Sequence, residues 1–442
     1  MADDVKFSIG RVTRFYVPLL LQGFAQSLSY PLVAGVITHG SQGVNGLTAF
    51  SQGQMVMFLV GSLGAGLVTT GLVFAGTWKG YAAFRRLNAA MMVILLALQC
   101  LPAVAPFNVW LFEGFFHLPH ELAEVARWTL LFGVVMNAGF IIRNPPMVAL
   151  LNNLQSAKAN NATILRILVT LALAFVATRL GFVGPAWGLV ILTLGVWAET
   201  LVTWLYARPY VSRLRETVGA ARQPETDRSV DVRIWEQLRF TVPLVIGYFL
   251  LAFSPLITAA FVARSANSAD MLALHYVLLG VVTPVMFGAL RLQTVSVKFQ
   301  PEYPGDRRLL SYAIFAGLIL GIIPVLFATP LLSHLYFGVY QNLPDHLMPT
   351  ARLAIAVYAV ICVIQTVRAR IEGIAAARKR SDAVMAGQVA YTVALFCICA
   401  ALWKLDASGI AIAMAGVILS PLFVIGAIYA ALAFKRERKT GK

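Results

Sequence analysis

The sequence predicts an all-α integral membrane protein of twelve transmembrane helices, arranged as two parallel six-helix bundles with pseudo-two-fold symmetry. Three observations carry this: the composition, the length of the apolar runs, and an internal repeat. Hydrophobic residues make up 59% of the 442 positions and charged residues only 12%, with a mean hydropathy of +0.77. A soluble domain carries about 25% charged residues, so lipid must be the solvent for much of this chain. Strand-like alternation is absent, which argues against an outer-membrane barrel.

The apolar runs read as spans at 13–38, 46–75, 86–108, 122–149, 160–182, 184–207, 236–262, 270–296, 309–333, 348–370, 383–403 and 408–433. Most are long enough to cross as tilted helices. The first run follows a polar stretch and is too long for the apolar region of a signal peptide, so it is expected to stay as the first span.

A second copy of the chain begins 225 positions after the first. Arg14-Phe15-Tyr16-Val17-Pro18-Leu19-Leu20 returns as Arg239-Phe240-Thr241-Val242-Pro243-Leu244-Val245. Leu118-Pro119, Leu122 and Ala126-Arg127 return as Leu343-Pro344, Leu347 and Ala351-Arg352, and Arg143 falls on Arg368. The expected divisions are an N-terminal half at 1–210, a solvated cytoplasmic linker at 211–233 and a C-terminal half at 234–442. Six spans per half is an even number, so both halves enter from the same side. The repeat is then parallel, with a central cleft between its halves, the plan of a two-half transporter.

Basic residues set the orientation. Lys6, Arg11, Arg14, Lys79, Arg85, Arg86, Lys158, Arg166, the cations from Arg208 through Arg239, Lys298, Arg307, Arg308, Arg368, Arg370, Arg378, Lys379, Arg380 and the basic tail fall on one side. Arg127, Arg179, Arg264, Arg352 and Lys404 fall on the other. Both termini are therefore expected in the cytoplasm of a multi-pass inner or plasma membrane protein. The net charge of +16 reads as this asymmetry plus attraction to anionic lipid on the cytoplasmic side, and nucleic acid is not an expected partner.

Cys100, Cys362, Cys397 and Cys399 lie inside apolar runs and suggest neither a metal site nor a disulfide framework. No Walker motif, nucleophile elbow or zinc motif is present, so no enzymatic activity, cofactor or metal is expected. His275 reads as a packed polar residue.

The fourth span holds Arg143-Asn144-Pro145-Pro146. Proline has no N–H, so the two prolines leave the carbonyls of Ile141 and Ile142 without helical donors. An arginine inside a span costs about 2.5 to 3.5 kcal/mol on insertion scales, so it needs a partner or a wet cavity. Two readings stand for Arg143: a substrate contact, favoured by the equivalent Arg368, or a side chain snorkelling to the cytoplasmic surface. Arg291 in the eighth span has the same two readings. Arg166 and Arg370 read as headgroup anchors.

Carboxylates are almost missing from the spans; Glu199 is the clearest and Glu372 lies at a helix end. The first span offers Gln22, Gln26 and Ser29, and the seventh Tyr248 and Ser254. Cations without matching anions predict a cavity that attracts anions. Gly61, Gly64, Gly66 and Gly71 make the second span a close-packing helix, or alternatively a flexible gate. Pro18, Pro31, Pro243 and Pro255 are potential kinks in the first and seventh spans.

These residues resemble the progressive ankylosis protein family, within the multidrug/oligosaccharidyl-lipid/polysaccharide (MOP) exporter superfamily. The likeness rests on Arg14-Phe15 with Val17-Pro18-Leu19, Gly71-Leu72-Val73-Phe74, Arg239-Phe240 with Pro243-Leu244, Met286-Phe287-Gly288, and Thr366-Val367-Arg368-Ala369 followed by Gly373. The sequence departs from the family in its short basic C-terminal tail and in the position of Arg291. The resemblance implies a MATE-like fold and export of small anions such as pyrophosphate, nucleotides or citrate-like acids, with Arg368 the best-matched substrate residue.

The expected function is thus export of a small anionic substrate by alternating access, with one chain as the transport unit. The expected substrate-binding residues are Arg143, Asn144, Arg291, Arg368, Gln22, Gln26 and Tyr248. Competing readings are a flippase for lipid-linked saccharide pyrophosphates, which the same cationic cleft suits, and a drug/cation antiporter, which the scarcity of carboxylates disfavours. A membrane-embedded scaffold would not need a cation in the spans of both halves.

Overall fold

A computed structural model describes residues 6–219, 228–303 and 305–440. Among these residues all regular structure is helical, and twelve helices or helix pairs are long and apolar enough to cross a membrane. In chain order they are built from α1 (Ile9–Thr38), α2 (Gly43–Leu63) with α3 (Ala65–Phe74), α4 (Trp78–Cys100), α5 (His120–Asn152), α6 (Ser156–Arg179) and α7 (Pro185–Gly219). The second series is α8 (Arg228–Ala252) with α9 (Ser254–Val262), α10 (Ser268–Leu290) with α11 (Leu292–Lys298), α12 (Arg308–Ala328), α14 (Met348–Ala377), α15 (Ser381–Lys404) and α16 (Gly409–Thr440). A short α13 (Pro330–Ser333) follows α12.

Local chemistry explains where the elements differ from the apolar runs. The third helix starts at Trp78 rather than at 86, because Thr77 caps it: its Oγ1 accepts from the Gly80 N–H at 3.3 Å. Arg85 and Arg86 therefore lie within the helix. The ninth helix stops at Ala328, where Thr329 turns extended ahead of Pro330. The expected linker is helical at both ends, since α7 runs to Gly219 and α8 begins at Arg228. Its Arg and Glu residues are good helix formers, and 220–227 lie outside the described residues.

The repeat is written into the backbone. The helices α6 and α15 have the same bounds after the 225-residue shift, and α5 and α14 end at equivalent positions, Asn152 and Ala377. Equivalent π-helical turns form at Val109–Phe115 and His334–Tyr340, each burying one phenylalanine, Phe112 and Phe337. Left-handed residues follow at His117 and Asn342, and again at Leu154 and Lys379. The repeated arginines bind back to the preceding helix end: Arg127 Nε donates to the Ala103 carbonyl at 2.9 Å and Arg352 Nε to Ser333 Oγ at 2.6 Å. Each ties the segment before its π-helical turn to the helix after it.

By packing, the chain forms two units, one of Met1–Phe24 with Ile246–Lys442 and one of Ala25–Val245. Each has its own apolar core. That of the first includes Leu278, Phe337, Ile355 and Tyr358; that of the second includes Phe50, Met57, Phe112 and Leu130. In the second unit the α8 segment packs on α3, with Thr241 and Thr70 hydroxyls 2.8 Å apart and Phe240 edge-on to Phe74. Large apolar side chains such as Phe132, Leu168, Phe315 and Leu353 stay exposed, as expected of surfaces solvated by lipid. Of the small residues in the second span, Gly66 and Gly71 are closely packed: a Cβ at Gly71 would lie 2.6 Å from Val148 Cγ2, and one at Gly66 3.0 Å from Leu244 Cβ. Gly64 separates α2 from α3.

Candidate functional site

In the second unit, α5, α6 and α7 bring Arg143, Arg166 and Glu199 together. Glu199 is fully buried, and its two oxygens divide between the arginines. Arg143 Nη1 lies 2.5 Å from Oε1 and Arg166 Nη1 3.0 Å from Oε2. Thr163 Oγ1 also donates to Oε1, at 2.5 Å. Phe140, one helical turn before Arg143, lies under both guanidinium groups, with centroid distances of 5.0 Å to Arg143 and 5.7 Å to Arg166. One carboxylate faces two guanidinium groups, so the charge is only partly compensated, and the N–H groups are not all directed. Arg143 Nε and Arg166 Nε have no hydrogen-bond partner, while Arg143 Nη1 is engaged by the Glu199 ion pair.

The proline pair beside this triad does not break α5, which runs through Pro145 and Pro146. Asn88 of α4 repairs part of the damage: its Nδ2 donates to the Ile141 carbonyl at 2.9 Å. Asn144 Nδ2 in turn donates to Asn88 Oδ1 at 3.2 Å. Asn144 is thus engaged in holding the helix next to Arg143.

In the first unit the equivalent arginine is held differently. Arg368 Nε donates to Glu372 Oε1 at 2.8 Å, Nη2 to Gln388 Oε1 at 2.8 Å and Nη1 to Gln365 Oε1 at 3.4 Å. Gln388 Nε2 completes the ring by donating to Glu372 Oε1 at 2.8 Å, and Tyr391 lies under the guanidinium at 5.1 Å. Every nitrogen of Arg368 is therefore used. The repeat places Gln388 opposite Thr163 and Tyr391 opposite Arg166, whereas the carboxylate comes from a different helix in each unit: α7 supplies Glu199 and α14 itself supplies Glu372.

Two sequence readings are corrected here. Arg166 and Arg370 are not headgroup anchors: they are 2% and 6% exposed, because Glu199 compensates the first and the Tyr429 hydroxyl, 3.3 Å from Nη1, partners the second. The absence of matching anions holds only in part, since Arg143 and Arg368 each meet a buried carboxylate. Gln22 and Tyr248 lie in the first unit, Gln22 buried and Tyr248 donating to Gln293 Oε1 at 3.1 Å. Gln26 is half-buried in the second unit. Arg291 is half-buried in the first, at the junction of α10 and α11. Sequence reasoning missed Asn88, Thr163, Gln365 and Gln388. The signal for Thr163 and Gln388 was present, since both are polar, lie within spans and are equivalent in the repeat. Among the described residues no group of three or more His, Cys, Asp or Glu side chains is placed to hold a metal ion.

Solved structures of one kind resemble the whole chain. A eukaryotic MATE transporter, AtDTX14, superposes with a TM-score of 0.72 at 12% identity, covering 96% of this chain and 95% of that one. The chain has the MATE transporter fold. A Vibrio cholerae MATE transporter, VcmN, in a mutant form, matches with a TM-score of 0.69 at 14% identity over 96% and 97% of the two chains. A MOP superfamily transporter from Pyrococcus furiosus, described as having a binding pocket of reversed polarity that suggests a different function, matches with a TM-score of 0.65 at 15% identity over 97% and 95%. No protein-family model and no curated protein sequence matches the chain. The twelve spans and this fold make it a multi-pass membrane protein.

Proposed function

We propose that the chain exports small anionic molecules by alternating access, with both termini in the cytoplasm and one chain as the transport unit. The MATE fold supports the transport mode. The anionic substrate class rests on one observation: among the described residues, the membrane helices of each unit bury two arginines against one carboxylate. By count these are Arg143, Arg166 and Glu199 in one unit, and Arg368, Arg370 and Glu372 in the other, where Glu372 pairs with Arg368 and Arg370 with the Tyr429 hydroxyl. Each interior therefore carries an excess positive charge that low dielectric makes strongly attractive to anions. A relative with reversed pocket polarity indicates that interior charge differs among proteins of this fold. The resemblance to the progressive ankylosis family suggests pyrophosphate, nucleotides and citrate-like acids as candidates. In this reading Arg143, Arg368 and Arg291 set the field that draws the anion, and Asn144, Gln22, Gln26 and Tyr248 supply neutral hydrogen-bonding groups.

The test is efflux of labelled citrate, nucleotide and pyrophosphate from proteoliposomes. Transport of at least one, slowed by neutralising Arg143, is the expected result. Movement of a cationic dye with none of the three anions would reverse the reading. Transport of pyrophosphate only when it is linked to a polyprenyl lipid would replace export of a soluble anion with a flippase.

A further inference from the structure

The two equivalent arginines are not equally available. Arg368 has all three nitrogens bonded, whereas Arg143, 9% exposed, and Arg166, 2% exposed, each have Nε undirected. Buried donors without acceptors are rare because each forfeits about 1–3 kcal/mol of desolvation. The two Nε–H groups on these neighbouring cations therefore call for an acceptor beyond those the chain provides.

We propose that Arg143 and Arg166 bind one oxyanion group of the substrate, a carboxylate or a phosphate, and that Glu199 stands in for that group when the site is empty. The proposal rests on the anion-export reading above. A guanidinium presents its donors in a planar fork that matches carboxylate and phosphate oxygens. Glu199 occupies such a position now, with Oε1 at Arg143 Nη1 and Oε2 at Arg166 Nη1. The Arg143 side chain keeps about a tenth of its surface open (10%) while that of Glu199 has none, so an anion reaches the pair from the Arg143 side. As it arrives, Arg143 leaves Glu199 for the ligand; Thr163 and Arg166 Nη1 still hold the carboxylate. In the empty site Glu199 thereby offsets one of the two positive charges, and the arriving anion offsets the other.

The competition has a direct readout in the full-length protein in detergent: thermal unfolding against citrate, inorganic phosphate or pyrophosphate, with chloride at matched ionic strength as reference. Glu199→Gln removes the stand-in, so its melting temperature starts lower than that of the natural protein. It should respond to the favoured anion at roughly tenfold lower concentration, equivalent to about 1.4 kcal/mol of competition removed. Arg166→Gln should fold, keeping the Arg143–Glu199 pair, and lose the response. Should Glu199→Gln fail to fold, Glu199→Asp, with a shorter carboxylate and a weaker hold on Arg143, should show an intermediate response. A lower effective concentration for citrate assigns a carboxylate; one for phosphate or pyrophosphate assigns a phosphate. An anion response in Glu199→Gln or Glu199→Asp no greater than in the natural protein, or a full response in Arg166→Gln, overturns the proposal. These measurements need no transport, so they fail or succeed separately from the efflux assay.

Discussion

The Asn88 side-chain amide donates at 2.9 Å to the carbonyl of Ile141, the carbonyl that Pro145 deprives of its helical donor. A residue on one helix thus repairs a defect that the sequence places in another. Asn88 is itself held from the damaged helix, through Asn144 Nδ2. The consequence is a continuous α5 in which Arg143 keeps its register towards Glu199.

Removing this repair should cost stability. Asn88→Ala leaves the Ile141 carbonyl buried and unpaired, at a cost of about 1–3 kcal/mol. In the Asn88→Ala background, Pro145→Ala returns a helical N–H to the same carbonyl and should recover part of the loss. Chemical unfolding of the four proteins of the double-mutant cycle checks this; strictly additive effects would separate the two residues.

The Arg368–Glu372–Gln388 ring should behave as a closed polar network. Glu372→Ala leaves Arg368 buried without its carboxylate and should destabilise the protein by about 3–5 kcal/mol. The double variant Arg368→Met with Glu372→Leu removes both charges and should lose much less stability than Glu372→Ala does. Melting temperatures in detergent decide between the two outcomes.

Close packing in the second span should tolerate no added volume at Gly71. Gly71→Ala drives a methyl group towards Val148 and Phe84 and should cost about 1–3 kcal/mol through overpacking. Gly76→Ala, where a Cβ meets nothing within 4 Å, should be close to neutral. Equal effects at the two glycines would count against a packing role for Gly71.

The loop between α11 and α12 carries a pH-dependent clasp. Asp306 accepts from the Arg308 side chain through both oxygens, at 3.0 and 2.8 Å, and from the backbone N–H groups of Arg308 and Glu302. Glu302 Oε1 accepts from the Phe7 N–H at 3.0 Å, which joins the start of α1 to this loop. Hydrogen bonds from the Arg308 side chain hold the Asp306 carboxyl well below its ordinary 3.8. A depressed carboxylate pKa adds stability above the ordinary value, and that stability is lost as pH falls through the folded value. Amide exchange of Phe7 and of 302–308 should therefore stay slow from neutral pH down to the ordinary carboxylate range and speed up only below it. Asp306→Asn should show fast exchange already at neutral pH.

The fold was legible in the sequence because lipid imposes a simple rule: each crossing must be a helix of adequate length and low charge. The 225-residue repeat was legible for a related reason. The copies keep matching side chains at Phe112 and Phe337, which each π-helical turn buries, and at Pro119 and Pro344, which cap the following helix, whereas the left-handed positions recur with different residues. The arginines Arg143 and Arg368 stood out because a cation within a span is costly enough to be rare.

The tertiary structure decided how those charges are compensated. Nothing in the spacing joins Glu199 to Arg143 and Arg166, which come from three helices. Nor does it show that Arg368 finds its carboxylate four residues along its own helix and saturates its remaining donors with Gln365 and Gln388. Burial of Arg166 and Arg370 was equally hidden, since a position near a loop in sequence says little about its depth in a bundle. Apolar periodicity is a property of single segments and is read along the chain. Ion pairing depends on distances of a few ångströms between segments, and only the packed helices set those.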